Sequence, residues 1–376
     1  MLLISIALVA TFSTNLSAVH EVLLVLYAGH AAAPKQPHLS LRSGSTVLVT
    51  GGAGFVGYHL CVRLHHNGVR VIALDNFDPY YSTALKRARQ ERLHRLGVRI
   101  IEGDMCDMQL VSTTLKEHGV THVASMAAQA GVRYSLSHPQ AYVRANVECF
   151  VSLLEALRLR PSTVLVYASS SSVYGANKKI PFDEEDRVDA PSSLYAATKK
   201  ANEAMAHVYH SLYGIPVTGL RFFTVYGPWG RPDMAYFSFA HRIAKGLPIN
   251  VYGRGTPQRD FTYIDDVVSG VVAALALGAE EELFNLGNHR TVTLSHFIAV
   301  LEQEMQLAAK KTMTDMAPGD VLATYADIEH ARYRLGYEPA TTIEVGLRNF
   351  VRWYRSTDFE PQFAEDGEWN RAGPTM

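Results

Sequence analysis

From Ser45 onward the chain alternates short apolar runs with stretches of helical spacing. Thr46–Thr50 is a β-branched run, Phe55–His66 carries an amphipathic helical pattern, and Val69–Leu74 is a second apolar run. The alternation continues with a polar helix over Tyr81–Leu96, a strand over Val98–Ile101, a helix over Met108–His118 and a strand over His122–Ala127. A long helix over Pro139–Leu159, a strand over Thr163–Ala168, a long helix over Ser192–Leu212 and a strand over Val217–Arg221 complete the pattern. Apolar runs of this length, each followed by a helix, predict an α/β fold: a Rossmann-type doubly wound parallel sheet covered on both faces.

After Arg221 the regularity fades, and Pro228, Gly230, Pro232, Pro248, Gly253, Gly255 and Pro257 punctuate short elements. Such a region suits a smaller C-terminal substrate-binding domain at the edge of the sheet. The predicted organisation is a nucleotide-binding domain over 45–220, with contributions continuing to about residue 290, a substrate domain mainly over 221–356, and a flexible tail over 357–376. Residues 1–44 stand apart. Met1–Ala28 holds one charged residue, Glu21, between the apolar runs Leu2–Val19 and Val22–Tyr27, and reads as an apolar leader or membrane anchor followed by a linker.

Composition narrows the class without naming a chemistry. Lys plus Arg is 35 and Asp plus Glu is 36, so no net field draws the 376-residue chain to nucleic acid. An anionic ligand has to be met by local arginines. Cys61, Cys106 and Cys149 are scattered in apolar or helical stretches without CxxC spacing, and are expected to be buried free thiols. The 16 histidines form no HExxH or comparable cluster, so no metal site is expected.

The first run leads straight into Gly51-Gly52-Ala53-Gly54-Phe55-Val56-Gly57. A GxxGxxG loop between strand and helix is the pattern for a dinucleotide: Gly51 for the tight turn, Gly54 for access of the pyrophosphate, Gly57 for close packing of helix on sheet. Phe55 and Val56 then open the helix whose N-terminus faces the phosphates. Asp75, with Asn76 after it, ends the second strand, where a carboxylate accepts from the ribose hydroxyls and repels a 2′-phosphate, favouring NAD over NADP. Asp104 and Met105 follow the third strand, near where the adenine would lie. Ala127 and Gln129 end the fourth, on the nicotinamide side. Asn146, polar inside an apolar helix, either meets backbone near the cofactor or caps an internal kink.

The fifth strand ends in a serine run, Ser169 to Ser172, and Tyr195 and Lys199 follow at i and i+4 of a helix. A free phenol titrates near 10 and is a poor base at neutral pH. A neighbouring ammonium and the positive nicotinamide favour its anion, while Ser170 or Ser171 shares the substrate proton. Further on, Arg221, Thr224, Arg231 and Arg259 provide candidate anion ligands, with Arg221 equally readable as structural.

These motifs resemble the NAD-dependent epimerase/dehydratase members of the extended short-chain dehydrogenase/reductase family, and among them the UDP-glucuronate 4-epimerases. The resemblance spans Thr46 to about Ser356 and rests on TGGAGFVG at 50–57, LDNFDPYY at 74–81, AAQAGVRYS at 127–135, YASSSSVYG at 167–175, SLYAATKKANE at 193–203, GLRFFTVYGPWGRPDMA at 219–235 and RDFTYIDDV at 259–267. It implies a retained NAD, and 4-epimerisation through a transient 4-keto sugar. Tyr195, aided by Ser170 or Ser171, would take the O4 proton, and Lys199 would hold the nicotinamide ribose. Thr224 and Arg231 would contact the uronic carboxylate, with Arg133 adding to that polar environment. Arg259 would hold the pyrophosphate, and the Asn250-Val251-Tyr252 strand the uracil. A UDP-glucose or UDP-arabinose type 4-epimerase and a UDP-glucuronate decarboxylase share most of this machinery. Thr224 with Arg231 disfavours the former, and closeness of the surrounding block to the epimerase pattern disfavours the latter. A non-catalytic NAD-binding scaffold would predict a broken Tyr/Lys pair. The resemblance also implies a homodimer through helices 139–159 and 192–212, and a Golgi membrane anchor with a lumenal catalytic domain, the alternative being a cytoplasmic enzyme.

Overall fold

Seven parallel strands form the central sheet of the computed structural model, which describes residues 40–316 and 323–365. In chain order they are β1 (Thr46–Thr50), β2 (Arg70–Asp75), β3 (Arg99–Glu102), β4 (His122–Ser125), β5 (Val164–Ser170), β6 (Val217–Phe222) and, after four short strands, β11 (Glu281–Leu286). Their spatial order is β11-β6-β5-β4-β1-β2-β3. β1 is buried along its whole length, as a strand covered on both faces must be, and its pairing sets Val49 beside Ala73 and Ala124.

Because β1 pairs with β2 on one side and β4 on the other, the chain reverses its winding direction there. The crevice outside the C-terminal ends of these strands is where a doubly wound sheet binds ligands. The longer flanking helices are α1 (Phe55–His66), α2 (Thr83–Arg95), α3 (Met108–Glu117), α4 (Cys149–Arg158), α5 (Leu194–Tyr213), α6 (Ala235–Ala244), α7 (Ile264–Leu277), α8 (Leu294–Met305) and α9 (Ile343–Tyr354), together with shorter helical segments. Ser82, Asp107 and Ser193 cap α2, α3 and α5 by accepting a backbone N–H with their side chains. Gly54, at the head of α1, supplies no such cap.

After Phe222 come β7 (Thr224–Tyr226), β8 (Pro248–Val251), β9 (Gln258–Arg259) and β10 (Phe261–Tyr263), and after β11 the strands β12 (Val292–Thr293), β13 (Lys310–Met313) and β14 (Ala323–Thr324). They form small separate sheets, β10 with β7, β13 with β8, and β12-β9-β14. The described residues nonetheless make one compact unit.

Several expectations need correction. The expected helix over 139–159 is broken: a single turn at Pro139–Tyr142, a π-helical segment at Val143–Glu148, and only then α4. The interior Asn146 exchanges hydrogen bonds with a loop instead of facing solvent, and the i→i+5 turn accommodates it. Cys106 and Cys149 are not free thiols but form a disulfide, leaving Cys61 as the buried free cysteine. Residues 43 apart meet because the loop after β3 and the start of α4 lie side by side, where Arg144 also pairs with Asp104 at 3.0 Å. The expected flexible tail over 357–376 is packed as far as it is described: the Phe359 ring meets those of Trp353 and Phe363 edge-on, and Phe363 lies near Trp229. The leader and anchor expected at 1–28, most of the linker and the tail beyond 365 lie outside the described residues. Among the described residues no helix is long and apolar enough to cross a membrane.

Candidate active site

A cavity of about 410 Å³ opens at the strand ends, within the range of a small-molecule site. Its floor is the glycine loop. Gly51 has a φ of +69°, and a Cβ there would lie 2.8 Å from the Ala127 backbone, so the loop after β1 is pressed against the loop after β4. A Cβ on Gly57 would come within 2.1 Å of the Gly51 carbonyl, which fixes how closely α1 approaches the turn. Gly54, Phe55 and Val56 line the cavity at the start of α1, which has no side-chain N-cap and no acidic residue in its first turn. Uncapped donors at a helix N-terminus suit a pyrophosphate.

Asp75 lines the cavity but already serves the protein. Its Oδ2 accepts from the Ala53 N–H at 2.9 Å and its Oδ1 from the Phe77 N–H at 2.8 Å. Each carboxylate oxygen has a second lone pair for a ribose hydroxyl. Asn76, Asp104, Met105, Ala127 and Gln129 also line the cavity. Asn146 does not. It is buried, its Oδ1 accepts from the Gln129 N–H at 2.8 Å, and its Nδ2 donates to the Gln129 carbonyl and to Thr198. Asn146 is thus not a cofactor ligand; of the two readings, it meets backbone near the cofactor site, tying the loop after β4 to the helix that carries Tyr195. The set fits a dinucleotide, with an acid at the ribose, a donor-rich helix start at the phosphates, and small residues beyond β4.

At the opposite end Tyr195, Lys199, Ser170 and Arg231 line the same cavity, whereas Ser171 starts the turn after β5 and does not. The Lys199 ammonium is buried and donates to the Ala168 carbonyl at 2.9 Å, and burial lowers its pKa to about 8. Burial raises the Tyr195 phenol above its usual value, while a hydrogen bond with Ser170 and the charge of Arg231 pull it down. Arg231 is thus one cation acting on the phenol, while the Lys199 amine, one helical turn on from Tyr195, is hydrogen-bonded to the Ala168 carbonyl on β5. The Tyr142 ring meets that of Tyr195 edge-on at 6.0 Å.

The substrate-side residues are placed less as expected. Arg231 is held by Asp233, Nε to Oδ1 at 3.0 Å with Nη2 on Oδ2; burial works against its charge, but Asp233 more than compensates and the pKa is raised. Asp233 is itself buried and accepts from Tyr80 Oη at 3.0 Å. Thr224 does not join Arg231. It lines a smaller neighbouring cavity with Arg259, Pro257 and Leu294, with Met234 as a wall common to both, because β7 is drawn toward β10. Asn250 is exposed on β8 between buried Ile249 and Val251, so strand alternation turns it away from both cavities. The strand ends at Val251, and Tyr252, in the following turn, lies under the Arg133 guanidinium at 4.9 Å; neither lines a cavity. Arg221 is structural: 1 % exposed, it pairs with Glu203 through Nε at 2.9 Å and Nη2 at 3.0 Å and donates to Tyr174.

Sequence reasoning passed over Tyr80, Asp233 and Lys86. Tyr80 and Lys86 line the cavity, and Lys86 Nζ donates to the Asp78 carbonyl at 2.6 Å. The Asp at i+2 from Arg231 was a usable signal. Tyr80 reaches it across 153 positions, for which no local pattern exists.

Three similarities bear on this geometry. The UDP-glucuronate 4-epimerase 4 of Arabidopsis thaliana is 50% identical over 335 residues, covering 84% of this chain and 77% of the relative. The crystal structure of UDP-glucuronic acid 4-epimerase from Bacillus cereus in complex with UDP-glucuronic acid and NAD superposes with a TM-score of 0.77 at 34% identity, covering 82% of this chain and 98% of the other. A tyrosine-to-phenylalanine mutant of that Bacillus enzyme, solved with UDP-4-deoxy-4-fluoro-glucuronic acid and NAD, gives 0.76 at 33% over the same shares, 82% and 98%. The profile of the NAD dependent epimerase/dehydratase family matches residues 47–287. With the glycine loop, the acid after β2 and the Tyr195–Lys199 helix converging on one cavity, the chain belongs to the NAD dependent epimerase/dehydratase family.

Proposed function

We propose that the chain interconverts UDP-glucuronate and UDP-galacturonate by reversible 4-epimerisation. The observation that carries this reading is that Tyr195, Ser170 and the Asp233-held Arg231 face one cavity with the glycine loop. NAD, bound along Gly51–Gly57, Asp75 and Gln129, supplies hydride acceptance and return at C4. Tyr195 takes the O4 proton as the alcohol becomes a ketone and gives it back to the inverted alcohol. Ser170, whose hydroxyl lowers the pKa of the phenol, steadies the proton between the two oxygens. Arg231 lowers the cost of the tyrosinate and, with Nε and Nη2 committed to Asp233, leaves its Nη1 end for the uronate carboxylate. Holding that carboxylate through oxidation keeps the β-keto acid from losing CO₂. On this reading Lys199, which lines the cavity, donates to the nicotinamide ribose.

The test is incubation of the purified protein with UDP-glucuronate without added NAD. UDP-galacturonate without released CO₂ is expected. UDP-xylose, or no turnover despite bound NAD, overturns the reading.

We further propose that two copies pair through the segments 139–159 and 192–212. These segments leave Val143 47%, Leu159 61%, Leu212 67% and Val208 46% exposed, an apolar surface that a lone chain would present to water. Sedimentation gives a dimer on this reading, and Leu212→Glu a monomer. A lumenal Golgi location is proposed on the Cys106–Cys149 disulfide, since such bonds persist in oxidising compartments. Peptide mapping of protein taken from cells under alkylating conditions finds that pair bonded, and finding both thiols alkylated contradicts it.

A further inference from the structure

Arg89 is a fully buried cation that forms no ion pair among the described residues. A guanidinium withdrawn from water without a carboxylate is costly, and it is held here by neutral acceptors alone. Nη1 donates to the Ala53 carbonyl at 2.8 Å and to Tyr81 Oη at 2.8 Å. Nη2 donates to the Trp229 carbonyl at 2.6 Å and to the Gly230 carbonyl at 2.9 Å. Nε has no partner, so the side chain is not placed to satisfy itself fully. What the fork does instead is join the glycine loop, the segment after β2, and the turn that leads into Arg231.

That turn does not hold its shape by local preference. Trp229 has a φ of +56°, which a bulky residue adopts only when its surroundings impose it. Gly230 admits no side chain, since a Cβ there would lie 1.7 Å from Tyr236 Oη. Arg89 receives two successive carbonyls of this turn, while Arg92, one helical turn on, lies 5.1 Å from the Trp229 ring. The peptide that enters Arg231 is therefore aimed from α2, and its own N–H donates to Tyr236 Oη at 3.2 Å.

We propose that Arg89 is the positioning residue for uronate recognition, locking the Trp229–Gly230 turn so that Arg231 presents its free edge to the substrate carboxylate. The proposal rests on the assignment of Arg231 to that carboxylate. Lysine cannot reproduce the effect, because one ammonium on a flexible stem cannot span acceptors on both sides of a planar fork.

The experiment measures Kd for UDP-glucuronate and for UDP-glucose by calorimetry on the NAD-loaded protein, in wild type, Arg89→Lys, Arg231→Ala and the double variant. With charge-assisted hydrogen bonds at stake, Arg89→Lys is expected to weaken UDP-glucuronate about tenfold and UDP-glucose less than about twofold. In the Arg231→Ala background Arg89→Lys is expected to change the ratio of the two no further. Tyr81→Phe, which removes one acceptor, is the milder variant should Arg89→Lys not fold, and is expected to shift the ratio in the same direction. An equal change for both sugars in the folded variant, or an undiminished effect without Arg231, overturns the proposal while leaving Arg231 in its role. An Arg231→Ala protein that keeps the wild-type ratio overturns both.

Discussion

The two ends of the cavity are built on different length scales. On the cofactor side, Gly51, Gly54 and Gly57 act within one loop, and Tyr195 and Lys199 within one turn of α5. On the substrate side, Arg231 depends on Tyr80 through Asp233, and the turn before it depends on Arg89, 140 positions away. Two arginines of a single segment show what this means. Arg221 and Arg231 look alike as candidate anion ligands, yet one is closed off by Glu203 and Tyr174 while the other keeps an edge toward the cavity. The difference lies in partners supplied from elsewhere in the chain, not in the residue.

The contrast breaks most visibly at Tyr195. Replacement by Phe is expected to lower kcat by about 10³-fold, since the phenol is the group that moves the proton. NAD should stay bound, as its cradle is made by other residues; loss of the cofactor in Tyr195→Phe, seen in the absorbance of denatured protein, would mean that the two roles are not separable. Arg221→Ala should act on the fold instead. Removing one partner of the buried Arg221–Glu203 pair is expected to cost about 3 kcal/mol in chemical denaturation, because the buried Glu203 carboxylate loses both guanidinium hydrogen bonds and keeps only Ser169 and the half-exposed Lys200 as partners. A near-neutral result would return Arg221 to the list of ligands.

The order of elements and much of the cofactor side were legible because their signals are local. β1 and α1 match their predicted bounds, and Asp75 falls at the end of β2. What escaped was long-range. The π-helical turn at Asn146 is created by a loop 17 positions away, the Cys106–Cys149 bond by the meeting of two segments, and the outward face of Asn250 by the burial of its neighbours on β8. Thr224 and Arg231 share a motif but not a cavity, since β7 follows its partner β10. Arg89 had one usable sign, a cation set between Leu85 and Leu93 at helical spacing, all buried on one face of α2.

A pH experiment sharpens the cofactor side. Burial lowers the Lys199 pKa to about 8, below its ordinary value, so the unfolded chain binds more protons between about pH 8 and pH 10.5. Stability of the NAD-free protein should therefore rise over that window relative to Lys199→Met, by roughly 1–3 kcal/mol. A flat difference between the two proteins would show that Lys199 is solvated in the folded chain.

The central claim is that Tyr195 performs the chemistry while Arg231 selects the acid. The most direct measurement is kcat/KM for UDP-glucuronate, alongside Kd for UDP-glucose, in wild type and Arg231→Ala. The account predicts a loss of about 10- to 100-fold on the uronate, the worth of a charge-assisted pair, with UDP-glucose changed less than about threefold. Equal losses on both sugars would contradict it.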